Sequence, residues 1–446
     1  MGKPWALRRL LLSTHKEAAI EENDLLEPDQ EGHRHVDEVS FSVSLPDDII
    51  FDVLSRLPVK SLHRFRCVCR AWRALISDDD PAFAAAARDS RAAPLVVAMF
   101  GNKGRGYYYP SSVQPPRDLE LRVIDTADGS VLRVVKGIRG RYLATTPLDL
   151  AFVDHGMYGS TVIDPSARSG RVVATIAGLR AVDYGYADLH EFCCSYFGRA
   201  APSGAYKVAR LRGQPLTTPE TGRWMTEVAT LLDMNEPTAI TAWRQRPAPP
   251  VCVCWWLYTC TATVNGVVHF MHGGAPAGGA SLRPEHSDWN RVARFDLESE
   301  EWKTTIDGPP MTGWWCRRSG REGTWWDVAL TELKGTLAVV ETAGPGSLHI
   351  CNVNVWRLVD SAHDSVWVKE RAIEMGQQTC RLFKALEIFQ DGRMLMVRAF
   401  GKDPVILQLY NINTGAATDL MEMAKDFRGP ITLYTGCLLG RHEFCP

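Results

Sequence analysis

Between Gly313 and Asp327 the chain reads GWWCRRSGREGTWWD. Four indoles (Trp314, Trp315, Trp325, Trp326) and three guanidiniums (Arg317, Arg318, Arg321) stand together there, in a turn-rich linker between two strand-like runs. Tryptophan and arginine pair flat contact area with fixed donors and are enriched at binding hot spots. Loops held on a rigid scaffold are where binding residues concentrate. Trp314, Trp315, Arg317, Arg318 and Arg321 are therefore the candidate target-contacting residues. Trp325 and Trp326 abut a strand and are expected to pack between sheets.

Bond-making chemistry finds no foothold in the sequence. His269 and His272 lie three apart on an apparent strand, which sends them to opposite faces and makes a shared metal unsuitable. GNKGRG, starting at Gly101, lacks the terminal Lys-Ser/Thr of a phosphate loop and reads as a turn. No G-x-S-x-G elbow occurs. Asp164, Asp296 and Asp360 fit turn positions better than an acid–base pair. The 12 cysteines include the close pairs Cys67 with Cys69, Cys193 with Cys194 and Cys252 with Cys254, yet form no C-x-x-C. Neither a zinc ribbon nor a thioredoxin-type site is indicated. The expectation is no catalytic residue, no metal and no cofactor. Cysteines inside apolar runs point to a reducing compartment, the cytosol or the nucleus.

The elements that would position a binding loop fall into three regions. Across 446 residues the net charge is −2, with 45% hydrophobic and 23% charged residues. That balance fits two or three globular domains and gives no global nucleic-acid or membrane bias. Residues 1–40 are polar and acidic, and are expected to be disordered. The opening MGKPWALRRLLLST reads as neither a secretory signal nor a myristoylation site, since Ala6 stands where Ser or Thr is wanted. No apolar run is long enough to span a bilayer.

Residues 45–88 predict short helices. Pro46 and Asp47 mark an entry, and Pro58 closes the first helix. Ile49, Ile50, Val53, Leu54 and Leu57 cover most of an arc of about 140°, with Phe51 outside it. A second stripe holds Leu62, Phe65 and Cys69, and a third Trp72, Leu75 and Ile76. AFAAAARDS is a further short helix candidate. Three short helices cannot shelter all of these side chains, and each large one left wet forfeits about 1.5–3 kcal/mol. Either the following domain covers the excess or another protein does. Arg56, Lys60, Arg64, Arg66, Arg70 and Arg73 add a basic face. A DNA-reading helix pair could carry such a face, but without a second basic arm a solvated face or an acidic partner fits better.

From residue 93 to 446 the period changes to two. One recurring pattern is a turn glycine followed by an apolar strand: VNGVVHFMH, LKGTLAVVE and QDGRMLMVR. The other is a strand, an acidic or amide turn and a returning strand: LRVIDTADGSVLRVV, STVIDPSARSGRVVATI, RVARFDLESEEWKTTI and QLYNINTGAATDL. Two hairpins per unit make a four-stranded sheet, and repeated sheets of that kind are propeller blades. The spacing is uneven, 69 residues from Gly266 to Gly335 and 57 to Gly392. The expectation is about six blades.

LPDDIIFDVLSRLPVKSLHRFRCVCRAWRALI, from Leu45 to Ile76, resembles the plant-type F-box throughout its length. The following SDDDPAF is longer than that family's usual ending. The β region is more loosely similar to the F-box-associated and kelch-like propellers that follow such segments. The resemblance implies a multidomain chain: a trihelical F-box over residues 41–88, then a propeller over 93–446. It implies docking on a Skp-type adaptor, and through it on a cullin and a RING ubiquitin ligase. Leu45 and Pro46 would anchor the interface, and Ile49, Val53, Leu54, Leu57 and Pro58 would supply apolar contact. Leu62, Val68, Trp72, Leu75 and Ile76 would complete it, partly inward and partly toward the adaptor. Trp72 is expected to cost most on truncation. The implied role is that of a non-catalytic receptor that presents a protein target for ubiquitylation. The alternatives are an F-box protein acting outside a ligase, and a propeller enzyme or carbohydrate-binding protein whose helical segment is mere packing.

Overall fold

The computed structural model describes residues 45–76 except 58, residues 82–83 and 86–87, and residues 93–438. Within the last span 102–116, 145, 168–169, 179–191, 214–223, 233–241, 252, 255–259, 273–290, 311–317, 320–323, 346–351, 361–364, 375–379, 401–403 and 437 are left out. The expected disorder of residues 1–40 and the GNKGRG turn after Gly101 lie outside the described residues.

Three helices open the described chain. Helix α1 (Asp47–Ser55) carries Asp47 and Asp48 in its first turn, where unsatisfied N–H groups and the helix dipole favour carboxylates. Helix α2 (Val59–Phe65) is followed by α3 (Arg70–Leu75). Cys69 does not extend the α2 stripe. It sits in extended backbone at the start of α3, and its Sγ accepts the Trp72 N–H at 3.4 Å. Leu54, Leu62, Ile76, Phe83 and Ala87 form the buried core of this region.

The remainder is a six-bladed β-propeller. Blade one contains β1 (Leu95–Gly101), β2 (Arg117–Asp125) and β3 (Val131–Gly140). Blade two contains β4 (Tyr142–Leu143), β5 (Ala151–Asp154), β6 (Gly159–Asp164) and β7 (Arg171–Ala177). Blade three contains β8 (Phe192–Arg199), β9 (Tyr206–Gly213), β10 (Trp224–Thr230) and β11 (Arg244–Arg246). Blade four contains β12 (Thr261–Val264), β13 (Val267–Met271), β14 (Arg291–Asp296) and β15 (Glu301–Asp307). Blade five contains β16 (Arg318–Ser319), β17 (Thr324–Leu333), β18 (Thr336–Pro345), β19 (Asn352–Asp360) and β20 (Ser365–Glu374). Blade six contains β21 (Cys380–Ile388), β22 (Arg393–Phe400), β23 (Ile406–Asn411) and β24 (Ala417–Glu422). The last strand, β25 (Phe427–Tyr434), returns to pair with β1, so the two ends of the chain close the ring in one sheet.

Each blade buries both faces, which explains its strand sequences. In β1, Leu95, Val97 and Met99 enter the cluster shared with blade two, while Val96, Ala98 and Phe100 enter the one shared with blade six. LVVAMF therefore runs apolar without alternation, as a strand packed on two sides must. Four further clusters fill the other seams. The hairpins are set by turn chemistry. Asn265 and Gly266, and likewise Lys334 and Gly335, take positive φ at the two central positions, the geometry that matches strand twist in a two-residue hairpin. At the third-to-fourth strand turns Asp125, Asp164, Asp296 and Asn411 accept backbone N–H groups two residues on, at 2.8–2.9 Å. Asp164 and Asp296 are thus turn residues, and the side chain of Asp360 lies outside the described residues.

These short turns share one rim, where they touch one another: Asn265 donates to the Gly335 carbonyl, and Ser203 to Glu298. Leu95, opposite Asp125 and Tyr434, begins β1 on that rim. At the opposite rim β15 ends, with Asp307 opposite Arg291, and β17 begins, with Thr324 opposite Pro345. Among the described residues no helix is long and apolar enough to cross a membrane.

Candidate functional site

Helix α1 divides its apolar residues between two sides. Leu54 is 2% exposed, and Ile50, Phe51 and Leu57 pack against the same core. Ile49 and Val53, one turn apart, stay 47% and 52% exposed. The division differs from the arc read in the sequence. Phe51, outside that arc, meets the Phe83 ring edge-on at 5.4 Å and 89°. The core therefore takes one edge of the arc together with Phe51, and Ile49 and Val53 are left on the outer side. Beside them Asp52 and Arg56 form an exposed i, i+4 ion pair at 2.8 Å, worth only a few tenths of a kcal/mol.

The other expected contact residues separate in the same way. Leu62 and Ile76 are 2% and 0% exposed. With Leu54 they build the core of the region itself, the inward part of a set whose division the sequence left open. Trp72 is half-buried and packs edge-on against Phe65, with centroids 5.5 Å apart at 85°. Through that contact it packs against the core. Leu57 and Leu75 are also half-buried. Val68, between α2 and α3, is 59% exposed. Leu45, at 56%, and Pro46 are exposed ahead of α1. Pro58 lies outside the described residues. Ile49, Val53 and Val68 each keep about half of an apolar side chain in water, roughly 1 kcal/mol apiece that a partner could recover. Arg64, Arg70 and Arg73 are exposed as well.

The tryptophan–arginine segment is only partly visible. Trp314, Trp315, Arg317 and Arg321 lie outside the described residues, as do the side chains of Arg318, Trp325 and Trp326. The backbone of Arg318 and Ser319 is not linker: it forms β16 and pairs with Trp326 and Trp325 of β17. The two histidines do not converge. His269 is 6% exposed within β13, and His272 lies beyond that strand in a bridge with Val253. Among the described residues no three His, Cys, Asp or Glu side chains are grouped to hold a metal.

Sequence reasoning missed a charge cluster at the seam of blades three and four. Glu300, 5% exposed, accepts from Lys207 at 3.0 Å and from Arg244 and Arg246. Burial opposes its charge, but these three cations hold its carboxyl down at about 2. Trp302 fastens the same seam, donating to the Pro247 carbonyl at 3.0 Å. Each of these groups alone reads as a solvated charge, so only their spacing in the fold reveals the clamp. A second missed group is Lys384, whose ammonium donates to the Ile431 carbonyl of β25 at 2.7 Å and is pushed down to about 7 by burial.

Comparison with known proteins bears on the helices. Residues 43–83 match the F-box domain family. An F-box protein of Arabidopsis thaliana is 33% identical over 84 residues, 19% of this chain and 18% of that one. An F-box/kelch-repeat protein of the same plant is 57% identical over 35 residues, 8% of this chain and 10% of its own. The shared stretch is thus under a fifth of either relative. Among solved structures, dihydro-heme d1 dehydrogenase NirN aligns over 77% of this chain and 70% of its own, at 12% identity and a TM-score of 0.34. The chain carries an F-box domain at residues 43–83 ahead of a six-bladed β-propeller.

Proposed function

We propose that this chain is the substrate-recognition subunit of a Skp–cullin–F-box ubiquitin ligase. Its helices act as a trihelical F-box unit that docks on a Skp-type adaptor through the exposed Ile49, Val53 and Val68, with Leu45 and Pro46 as anchors. Leu57, Trp72 and Leu75 support that face from behind. The observation that carries the reading is the apolar surface left in water by a closed core, within a segment that matches the F-box domain. The propeller binds a protein target. Target contact is assigned to the segment with Trp314, Trp315, Arg317, Arg318 and Arg321, which lies between β15 and β17 along the chain. The receptor makes and breaks no bonds. It raises the effective concentration of target lysines near the charged enzyme, which is proximity catalysis by assembly. Its place of action is the cytosol, the nucleus or both.

The test is capture of a purified Skp-type adaptor by the full chain, followed by ubiquitylation of captured targets with and without the cullin. Capture together with cullin-dependent ubiquitylation supports the proposal. Capture without cullin dependence reduces it to an F-box protein working outside a ligase, and no capture refutes it.

A further inference from the structure

Cys67 and Cys69 bracket Val68, which is 59% exposed, and both cysteines are themselves exposed. The other cysteines whose side chains are described, Cys193, Cys194, Cys254 and Cys260, are buried among the propeller strands. Burial pushes the Cys194 thiol well above its ordinary range, which keeps it protonated and inert. Solvent reagents therefore reach these two thiols, which flank the exposed Val68 along the chain. Arg64, Arg70 and Arg73, each within four residues of one of these cysteines along the chain, are exposed as well, a cationic setting that favours an anionic thiol reagent over a neutral one. Cys69 has a structural duty as well: its Sγ caps α3 by accepting the Trp72 N–H.

We propose that Cys67 and Cys69 form a thiol-exchange site for an anionic low-molecular-weight disulfide of the glutathione class, and that its occupation switches off adaptor docking. The inference rests on the docking reading above. In the exchange, the thiolate of Cys67 or Cys69 attacks one sulfur of the disulfide. A new protein–S–S–glutathione bond forms and the old S–S bond breaks. The departing glutathione thiolate takes up a proton equal to the one the cysteine shed, so the disulfide is the only oxidant required. The adduct sets a charged tripeptide beside Val68. An interface that closes on Val68 would then have to bury carboxylates, which is strongly unfavourable. Reduction by a free thiol reverses the step.

The test treats the full chain with glutathione disulfide, maps adducts by peptide mass spectrometry, and measures adaptor capture before treatment, after it and after dithiothreitol. The expected result is an adduct on Cys67 or Cys69, at least tenfold weaker capture, and recovery on reduction. Cys67→Ser and the double variant Cys67→Ser/Cys69→Ser should capture the adaptor untreated, because a serine hydroxyl also caps α3. The double variant should be insensitive to the disulfide. Adducts confined to other cysteines, or an adduct on this pair with undiminished capture, overturn the proposal. Failure of the untreated chain to capture the adaptor refutes the docking reading instead, and the mapping arm keeps the two failures apart.

Discussion

Replacing Glu300 by Gln removes one charge and leaves the shape of the seam between blades three and four. In the native chain the carboxylate is 5% exposed and faces Lys207, Arg244 and Arg246. Its pKa falls from 4.5 to about 2. At about 1.4 kcal/mol per unit this makes the ionised form worth roughly 3 kcal/mol to the fold at pH 7. Breaking a buried ion pair costs about 3–5 kcal/mol. Arg244 and Arg246 keep a third of their side-chain surface in water, so the lower end applies. Unfolding entropy near 2.1 cal/mol/K per residue gives about 0.7 kcal/mol/K for roughly 350 propeller residues, and hence a Tm lowered by about 4 °C. Because the folded pKa is depressed, this stability is present above the unfolded value and is lost as pH falls through the folded one. The gap between native and variant should narrow to about 1–1.5 kcal/mol at pH 3. Calorimetry at both pH values decides the matter. An unchanged Tm at pH 7, or a gap that widens in acid, would refute the reasoning.

Three other substitutions test separate parts of the molecule. Lys384 titrates near 7 in the fold, against about 10.4 in an unfolded chain, so folding releases its proton between those values and native stability gains up to about 1.4 kcal/mol per pH unit there. Lys384→Met should lose that rise in urea melts run from pH 7 to pH 10, and an identical slope would contradict it. In α1, adjacent residues should behave oppositely. Leu54→Ala should melt the helices by about 2–5 kcal/mol, read by circular dichroism and proteolysis. Val53→Asp should leave their stability within about 0.5 kcal/mol. Equal damage from both would mean that the inner and outer sides of the helix are misassigned.

The β architecture was legible where hairpins carry their own chemistry. Gly266, Gly335 and Gly392 all take positive φ, and Asp125, Asp164, Asp296 and Asn411 cap turns as their spacing predicts. Blade three was the least legible. The eight residues of β9 are all buried, so YKVARLRG shows no alternation, and its arginines read as exposed although Arg210 pairs with Glu227 at 2.6 Å. In the helices, the sequence supplied the right set of apolar residues but not their division. The decisive contact, Phe51 on Phe83, joins segments separated by α2 and α3, and no helical period carries that information. The charge clamp escaped for the same reason: Lys207, Arg244, Arg246 and Glu300 come from two strands and a turn, and converge only once the blades stack.

Affinity of the intact chain for a purified Skp-type adaptor, measured by titration calorimetry beside that of Ile49→Asp/Val53→Asp, meets the central claim head-on. The account predicts saturable one-to-one binding by the native chain and at least a hundredfold weaker binding by the variant, with both chains melting alike. Equal affinities, or no binding by the native chain, would contradict it.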